Sequence, residues 1–373
     1  MHVPVFDLKT YNSKIRNDLH RSLEKILKSG ILFLGPEVEK FEKKVCKFLN
    51  MKYSVAVSSG SSALFLALKA SGIKKGDEVI TTPLTWIITA NAIKAVGAIP
   101  RFADVRDDFN IDPESILKNI NKKTKAIVPM HYAGLLCDMK KIKKIAKENK
   151  LLLIEDAAQS WNASASGQKS GTFSNVSAFS MNPMKPLGGY GENGVVVTNN
   201  KKIYKKLLIL RHAGTNSKKK FITNDSKVVS LNHKMDEINA SFLNVAIKHF
   251  KSKHSKKEII AKYLYQKLDG KIKTQIPQKN SIHARYVFPI RYKFRDELMN
   301  YLNKNKIETK IMNQPLASKA EIYKDAHSHT PNAEKILNES LIIPSHENLS
   351  IKQLDYMIAK INSFVNKKNL VKS

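Results

Sequence analysis

Two cysteines and two tryptophans in 373 residues are the first scarcity of this chain. Cys46 and Cys137 stand far apart and lack metal-ligand spacing, so neither a disulfide framework nor a zinc site is supported; both read as small buried residues. The eleven histidines offer no His-x-x-x-His helix face, and His327 and His329 merely flank a serine in a loop-like stretch, so no metal is expected. Long apolar runs are missing as well. The opening Met-His-Val-Pro-Val-Phe-Asp has no basic start and no apolar core of a signal peptide, and no run of about eighteen apolar residues offers a membrane span. The expectation is a soluble cytoplasmic protein.

Acidic residues are the other scarcity: 32 stand against 64 Lys and Arg, a formal charge of +32. Such an excess suits nucleic acid or an anionic membrane. Yet the lysines are spread along the chain (Lys122-Lys123, Lys140 to Lys147, Lys201-Lys202, Lys218 to Lys220, Lys367-Lys368). They are not focused with arginine forks or interleaved aromatics, so solvated faces are the favoured reading. Neither specific nucleic-acid binding nor membrane insertion is expected. A diffuse positive field still leaves room for help in capturing a doubly charged substrate such as a nucleotide diphosphate.

What is present is ample core material, 42% hydrophobic residues, enough for one large domain and a smaller appendage. From Lys52 to Thr198 strand-like and helix-like segments alternate, the pattern of a mostly parallel sheet with helices on both faces. Strands are predicted at Tyr53–Val57, Glu78–Thr81, Ala126–Pro129, Leu151–Glu155, Val176–Ser180 and Val195–Thr198. Helices are predicted at Ala63–Ala70, Ile87–Val96, Pro113–Ile120 and Met139–Glu148. Two amphipathic helices precede this domain, Ser13–Ser29 ending at Gly30 and Pro36–Leu49 with proline in its first turn. Two more follow, Lys234–Phe250 and Ser255–Leu268, and then a smaller α+β unit. The polar stretch Lys251–Ser255 places the boundary, dividing the chain into 1–250 and 251–373.

The chemistry concentrates at strand ends. Ser58-Ser59-Gly60-Ser61-Ser62 leaves a strand and opens a helix, where small residues let amide N–H groups converge on an anion; alone, it is equally an ordinary serine-capped turn. Asp156 ends another strand at the carboxyl edge of the sheet, where a carboxylate can hold a ring nitrogen protonated or simply cap a helix. Trp86 follows a third strand and either lies against an aromatic cofactor or packs in the core, the commoner fate. Lys185 comes five residues after Ser180 and just before a glycine-rich turn, the setting in which a lysine holds an aldehyde cofactor as a Schiff base while its neighbours grip a phosphate. That turn, Gly189 to Gly194, satisfies Gly-x-Gly-x-x-Gly, but a strand, Val195–Thr198, follows where a dinucleotide site needs a helix. A hairpin-like turn positioning Lys185 explains the glycines instead.

Taken in order, Gly35-Pro36-Glu37-Val38-Glu39-Lys40-Phe41-Glu42, Ser59 to Leu64, Gly76-Asp77-Glu78-Val79-Ile80, Asn110-Ile111-Asp112-Pro113, Glu155-Asp156-Ala157-Ala158-Gln159, Ser180 with Lys185, Gly191-Glu192-Asn193-Gly194, Asn232-His233-Lys234-Met235 and Ile342-Ile343-Pro344-Ser345-His346 resemble the DegT/DnrJ/EryC1/StrS family of pyridoxal-phosphate sugar aminotransferases, from about Val5 to the last helix. The resemblance implies a fold-type I, aspartate aminotransferase-like large domain with a mixed, mostly parallel sheet and a smaller α+β C-terminal domain. It implies transfer of an amino group from L-glutamate to the C4 or C3 ketone of a nucleotide-linked deoxy-sugar, yielding an amino sugar for surface glycans or related products. Lys185 carries the Schiff base and shuttles the proton; Asp156 pairs with the ring nitrogen, Gln159 contacts the ring hydroxyl side, and Trp86 stacks on the ring. Gly60, Ser61, Ser62 and Ser180 bind the cofactor phosphate. A homodimer with shared sites is implied, Asn232 reaching the partner's cofactor phosphate. Departures are Pro186 where asparagine is common, Asn193 for a second glycine, Met181 for an aromatic, and no histidine near Met312-Asn313; they bear on which sugar is bound. Two alternatives stand beside this reading: a pyridoxal-phosphate sugar dehydratase, which has histidine at the position of Lys185, and a non-catalytic regulator or anion-binding protein on the same fold.

Overall fold

The computed structural model describes residues 1–215, 225–324, 326 and 328–370; Lys218 to Lys220 and His327 fall outside the described residues. Seven strands form the central sheet: β1 (Tyr53–Val57), β2 (Glu78–Thr81), β3 (Ile99–Phe102), β4 (Thr124–Val128), β5 (Leu152–Asp156), β6 (Val176–Ser180) and β7 (Gly194–Thr198). Their spatial order is β1-β7-β6-β5-β4-β2-β3. All pairings are parallel except those of β7, which runs antiparallel to both β1 and β6. The near-continuous apolar burial of these strands is what a sheet covered on both faces requires.

Helices α1 (Ser13–Ser29), α2 (Pro36–Leu49), α3 (Gly60–Ala70), α4 (Ile88–Ala95), α5 (Pro113–Asn119), α6 (Met139–Glu148), α7 (Lys201–Arg211) and α8 (Glu237–Lys267) surround the sheet. On one face, Leu66, Ala67 and Ile93 pack with Leu207 over the β-strand valines. On another, Phe41 and Val45 of α2 pack with Trp161, Phe179 and Leu243. α8 is a single helix, where polarity at Lys251–Ser255 predicted a break between two. Its polar stretch stays helical because Phe250 and Ile260 on either side both face apolar clusters.

A second sheet, β8 (Lys273–Thr274), β9 (Phe288–Arg291) and β10 (Ser340–Ile343), carries α9 (Arg295–Lys304), α10 (Pro331–Glu339) and α11 (Ile351–Leu370). Its core of Phe288, Ile290, Leu298, Leu341 and Met357 also takes in Val3 and the α8 residues Ile260 and Leu264. A further cluster joins the two sheets, Leu84 and Tyr132 of one meeting Tyr286, Val287 and Ile342 of the other. Among the described residues, no helix is long and apolar enough to cross a membrane.

Candidate active site

The carboxyl ends of the parallel strands open into a cavity of about 580 Å³ lined by Gly60, Ser61, Trp86, Asp156, Gln159, Ser180 and Lys185. Open α/β sheets bind ligands at this edge because the loops leaving the strand ends converge there. Ser59 caps α3, its hydroxyl accepting from Ser62 N–H at 3.0 Å, so the first turn of α3 aims its free amides at the cavity. Gly60 must be glycine: a Cβ there would lie 2.5 Å from Ser180 Cβ and 2.8 Å from Ser180 Oγ. The closeness puts the helix N-terminus and the Ser180 hydroxyl on one spot, a cradle suited to phosphate.

Asp156 ends β5 and is 5% exposed. Thr89 Oγ1 donates to its Oδ2 at 2.8 Å, and Ala158 N–H donates to Oδ1 at 3.1 Å. Thr85 Oγ1 lies 2.7 Å from Thr89 Oγ1; since the Thr89 hydrogen is committed to Asp156, Thr85 is the donor between them. Burial pushes the Asp156 carboxyl above the usual range, opposed by the Thr89 hydroxyl, the Ala158 amide and the charge of Lys185. Among the described residues no cation forms an ion pair with it. A buried acid with two neutral donors and, among the described residues, no ion-pair partner fits a protonated heteroaromatic nitrogen.

Lys185 is half-buried, on the loop joining β6 to β7. Its amide closes a turn onto Asn182 O at 2.9 Å, and the Asn182 side chain braces that turn through Met184 N–H at 3.0 Å. Its Nζ sits 4.5 Å from the centroid of the Tyr286 ring, a cation–π contact that holds the ammonium over the cavity. Gln159 Oε1 accepts from Ala133 N–H at 2.7 Å, which leaves Nε2 as the donor end of the amide. Trp86 is 63% exposed at the cavity mouth, not in the core where most tryptophans go. Asn313, from the C-terminal unit, lines the opposite wall and has a buried Nδ2 without a hydrogen-bond partner, a donor available to a ligand.

One residue expected to hold the phosphate, Ser62, is not at the cavity wall, and Asn232, expected to reach the partner's site, does not line this one. The Ser62 hydroxyl is engaged by Ser58 and Ser59, each at 3.1 Å, and by His233 Nδ1 at 2.9 Å, so it braces the start of α3. Asn232 is exposed, its side chain accepting from Lys234 N–H at 3.2 Å. Conversely, the sequence reading missed Thr89, Thr85, Tyr286 and Asn313. Thr85 and Thr89 carry a signal, two hydroxyls four residues apart in an otherwise apolar stretch; Tyr286, a hundred residues from Lys185, carries none.

The sheet order, with a lysine and an aspartate lining one cavity at the carboxyl edge of its strands, defines an α/β protein of the aspartate aminotransferase type. More narrowly, the chain belongs to the DegT/DnrJ/EryC1/StrS aminotransferase family, whose model matches residues 13–362. It is 32% identical to a pleiotropic regulatory protein of Geobacillus stearothermophilus, over 98% of this chain and 99% of the relative. It is 29% identical to the dTDP-3-amino-3,6-dideoxy-alpha-D-galactopyranose transaminase of Aneurinibacillus thermoaerophilus, over 97% and 99%. The crystal structure of NtdA from Bacillus subtilis with bound cofactor PMP superposes with a TM-score of 0.89 at 28% identity, covering 96% of this chain and 84% of that one.

Proposed function

We propose that this protein is a pyridoxal-phosphate-dependent aminotransferase that places an amino group on the C4 or C3 ketone of a nucleotide-linked deoxy-sugar, with L-glutamate as donor. The observation that carries the reading is the pairing in one cavity of a half-buried lysine with a buried aspartate that, among the described residues, makes no ion-pair contact. Bound there, pyridoxal phosphate supplies the aldehyde that exchanges the amino group and a ring that draws off electrons from the reacting carbon. Gly60, Ser61 and Ser180 hold the phosphate through the α3 N-terminus and two hydroxyls. Asp156, whose ionised form the Thr89 hydroxyl and Ala158 amide favour against its burial, holds a proton on the ring nitrogen. Gln159 Nε2 donates to the ring hydroxyl, and Trp86 covers the ring on the solvent side and excludes water. Lys185 Nζ takes a proton from the donor's α-carbon and returns it on the other side of the transfer; Tyr286 keeps that amine over the cavity.

The same reading divides the chain into a cofactor domain, 1–250, and a smaller unit, 251–373, that closes over the sugar, with Asn313 as one of its donors. It also makes the protein a homodimer. Phe33, Val229 and Leu231 are 64%, 84% and 70% exposed; Val229 and Leu231 lie within three residues of Asn232, and Phe33 is bridged to Asp236, four residues after Asn232. So apolar a surface beside a polar arm suits a two-fold contact in which Asn232 reaches the partner's phosphate. A regulatory role, as one relative's name has it, is the second reading; a site this fully furnished with Lys185, Asp156, Gln159 and Ser180 favours catalysis.

The test is the visible spectrum of the purified protein with pyridoxal phosphate, before and after L-glutamate. A visible band that glutamate bleaches with release of 2-oxoglutarate, and that Lys185→Ala lacks while unfolding at the wild-type temperature, is expected. A folded wild-type protein without such a band, or with one indifferent to every amino donor, sinks the enzymatic reading.

A further inference from the structure

Away from the active-site cavity, three helices turn polar faces onto one groove of about 420 Å³. Asp18, Arg21 and Lys25 share a face of α1 by their spacing, and Glu37, Lys40 and Lys44 share a face of α2. α8 supplies Lys248 between them. The two carboxylates form the floor, Asp18 and Glu37 being each 6% exposed, while the cationic ends of Arg21, Lys25, Lys40 and Lys248 reach the rim, their side chains more than half exposed.

The floor is more than neutralised. Asp18 accepts from Lys248 Nζ at 2.9 Å, from His249 Nε2 at 3.0 Å and from Arg21, and the Lys248 bond, followed by those of His249 and Arg21, holds its carboxyl well below the usual range. Glu37 accepts from Lys25 Nζ at 2.8 Å and Asn244 Nδ2 at 3.0 Å, with Lys40 Nζ at 3.5 Å. Glu237, behind it, spends its carboxylate on three amide N–H groups. Lys44 has no carboxylate partner among the described residues; its Nζ donates to the carbonyl of Asn244 at 3.2 Å. Burial and the neighbouring charge of Lys40 both push its ammonium down. Five obligate cations over two carboxylates leave three positive charges facing one cavity.

No aromatic side chain among the described residues lines the groove, so it offers no platform on which a base could stack, the usual anchor for single-stranded nucleic acid. What remains is charge and N–H donors in a small volume. We propose that this groove binds a compact oligophosphate anion, the chemistry shared by inorganic pyrophosphate, inorganic tripolyphosphate and the phosphate chain of a nucleoside triphosphate. The site is separate from the aminotransferase cavity, and its residues take no part in the reaction above.

The test is calorimetric titration of the full-length protein with inorganic tripolyphosphate at about 0.1 M salt, where long-range surface fields are largely screened. One saturable site is expected. The double variant Lys40→Gln, Lys44→Gln weakens it about tenfold or more, since two charge-assisted bonds are lost. A charge-matched control on an exposed loop, Lys122→Gln, Lys123→Gln, weakens it by about twofold or less. Lys44→Arg, which keeps the charge, restores binding, and wild-type turnover in all variants reports that the fold is intact. ATP is expected to bind like tripolyphosphate, and AMP far more weakly. Equal losses in groove and control variants, or a titration that never saturates, overturn the proposal. So does tight binding of AMP, which would mean that a nucleoside is read elsewhere.

Discussion

Thr89 is the residue on which the charge of Asp156 depends most directly, since its hydroxyl is the closer of the two donors to that carboxylate. A hydrogen bond to a buried charged group contributes about 1.5–3 kcal/mol, so Thr89→Val is expected to weaken pyridoxal phosphate binding by about tenfold. The bond favours the ionised acid, so its loss raises the Asp156 pKa further, and affinity then falls at a higher pH on acidification than in the wild type. Fluorescence titration of the cofactor across the acidic range measures both effects, and Thr89→Ser restores both. An unchanged acid limb in Thr89→Val removes the residue from this role. Asp156 was singled out in the sequence because it ends a strand, and Lys185 because it stands between a strand-ending serine and a glycine-rich turn; both line the cavity. Thr89 left only its four-residue spacing from Thr85, a mark that names no partner until the strand carrying Asp156 is laid beside it.

Among the elements, one side chain of α8 caps the start of α2 while Phe41 and Leu243 pack the two helices together. Glu237, fully buried in the first turn of α8, accepts from Gly35 N–H and Glu37 N–H at 2.8 Å and from Val38 N–H at 2.9 Å. It thus caps the N-terminus of a helix two hundred residues away, where its negative charge also suits the helix dipole. Glu237→Ala strands three buried donors and is expected to cost about 3 kcal/mol in urea unfolding; Glu237→Gln, which keeps one oxygen, recovers part. A loss under about 1 kcal/mol in the alanine variant would show that water serves those amides as well as the carboxylate does. This contact could not be read from sequence, since Gly35 offers no capping side chain and its partner is remote. The strand order was equally hidden, although six of the seven strands were visible as apolar runs. β3 was overlooked because Pro100 and Arg101 interrupt its pattern; it is one of the two edge strands, where a missing N–H on the open side costs no ladder bond.

For the whole molecule, Lys257 links charge to stability. It lies on α8 where the two cores meet, its Nζ donating to Tyr286 O at 3.3 Å, and burial lowers its pKa from 10.5 to about 8. The unfolded chain therefore binds more protons than the folded one between those two values, and stability climbs with pH across that window, by up to about 3 kcal/mol. Below pH 8 both states are protonated and the cost of burying the ammonium is paid in full. Lys257→Met is expected to be more stable than the wild type at pH 7 and to lack that rise. Urea unfolding at pH 7, 8, 9 and 10 checks it, and parallel curves for the two proteins count against the assignment.

The reversed strand β7 has a further consequence. Ser180 and Gly194, at the two feet of the Lys185 loop, are register partners in one antiparallel ladder, and Met181 N–H bonds Asn193 O at 2.7 Å just beyond them. The loop is thus a handle fastened at both ends to the same plank. Gly189 N–H is itself tied back to Met181 O at 2.9 Å, so only the exposed tip at Tyr190 is left to change length, and it can do so without sliding either strand past its neighbours while the lysine keeps its foothold.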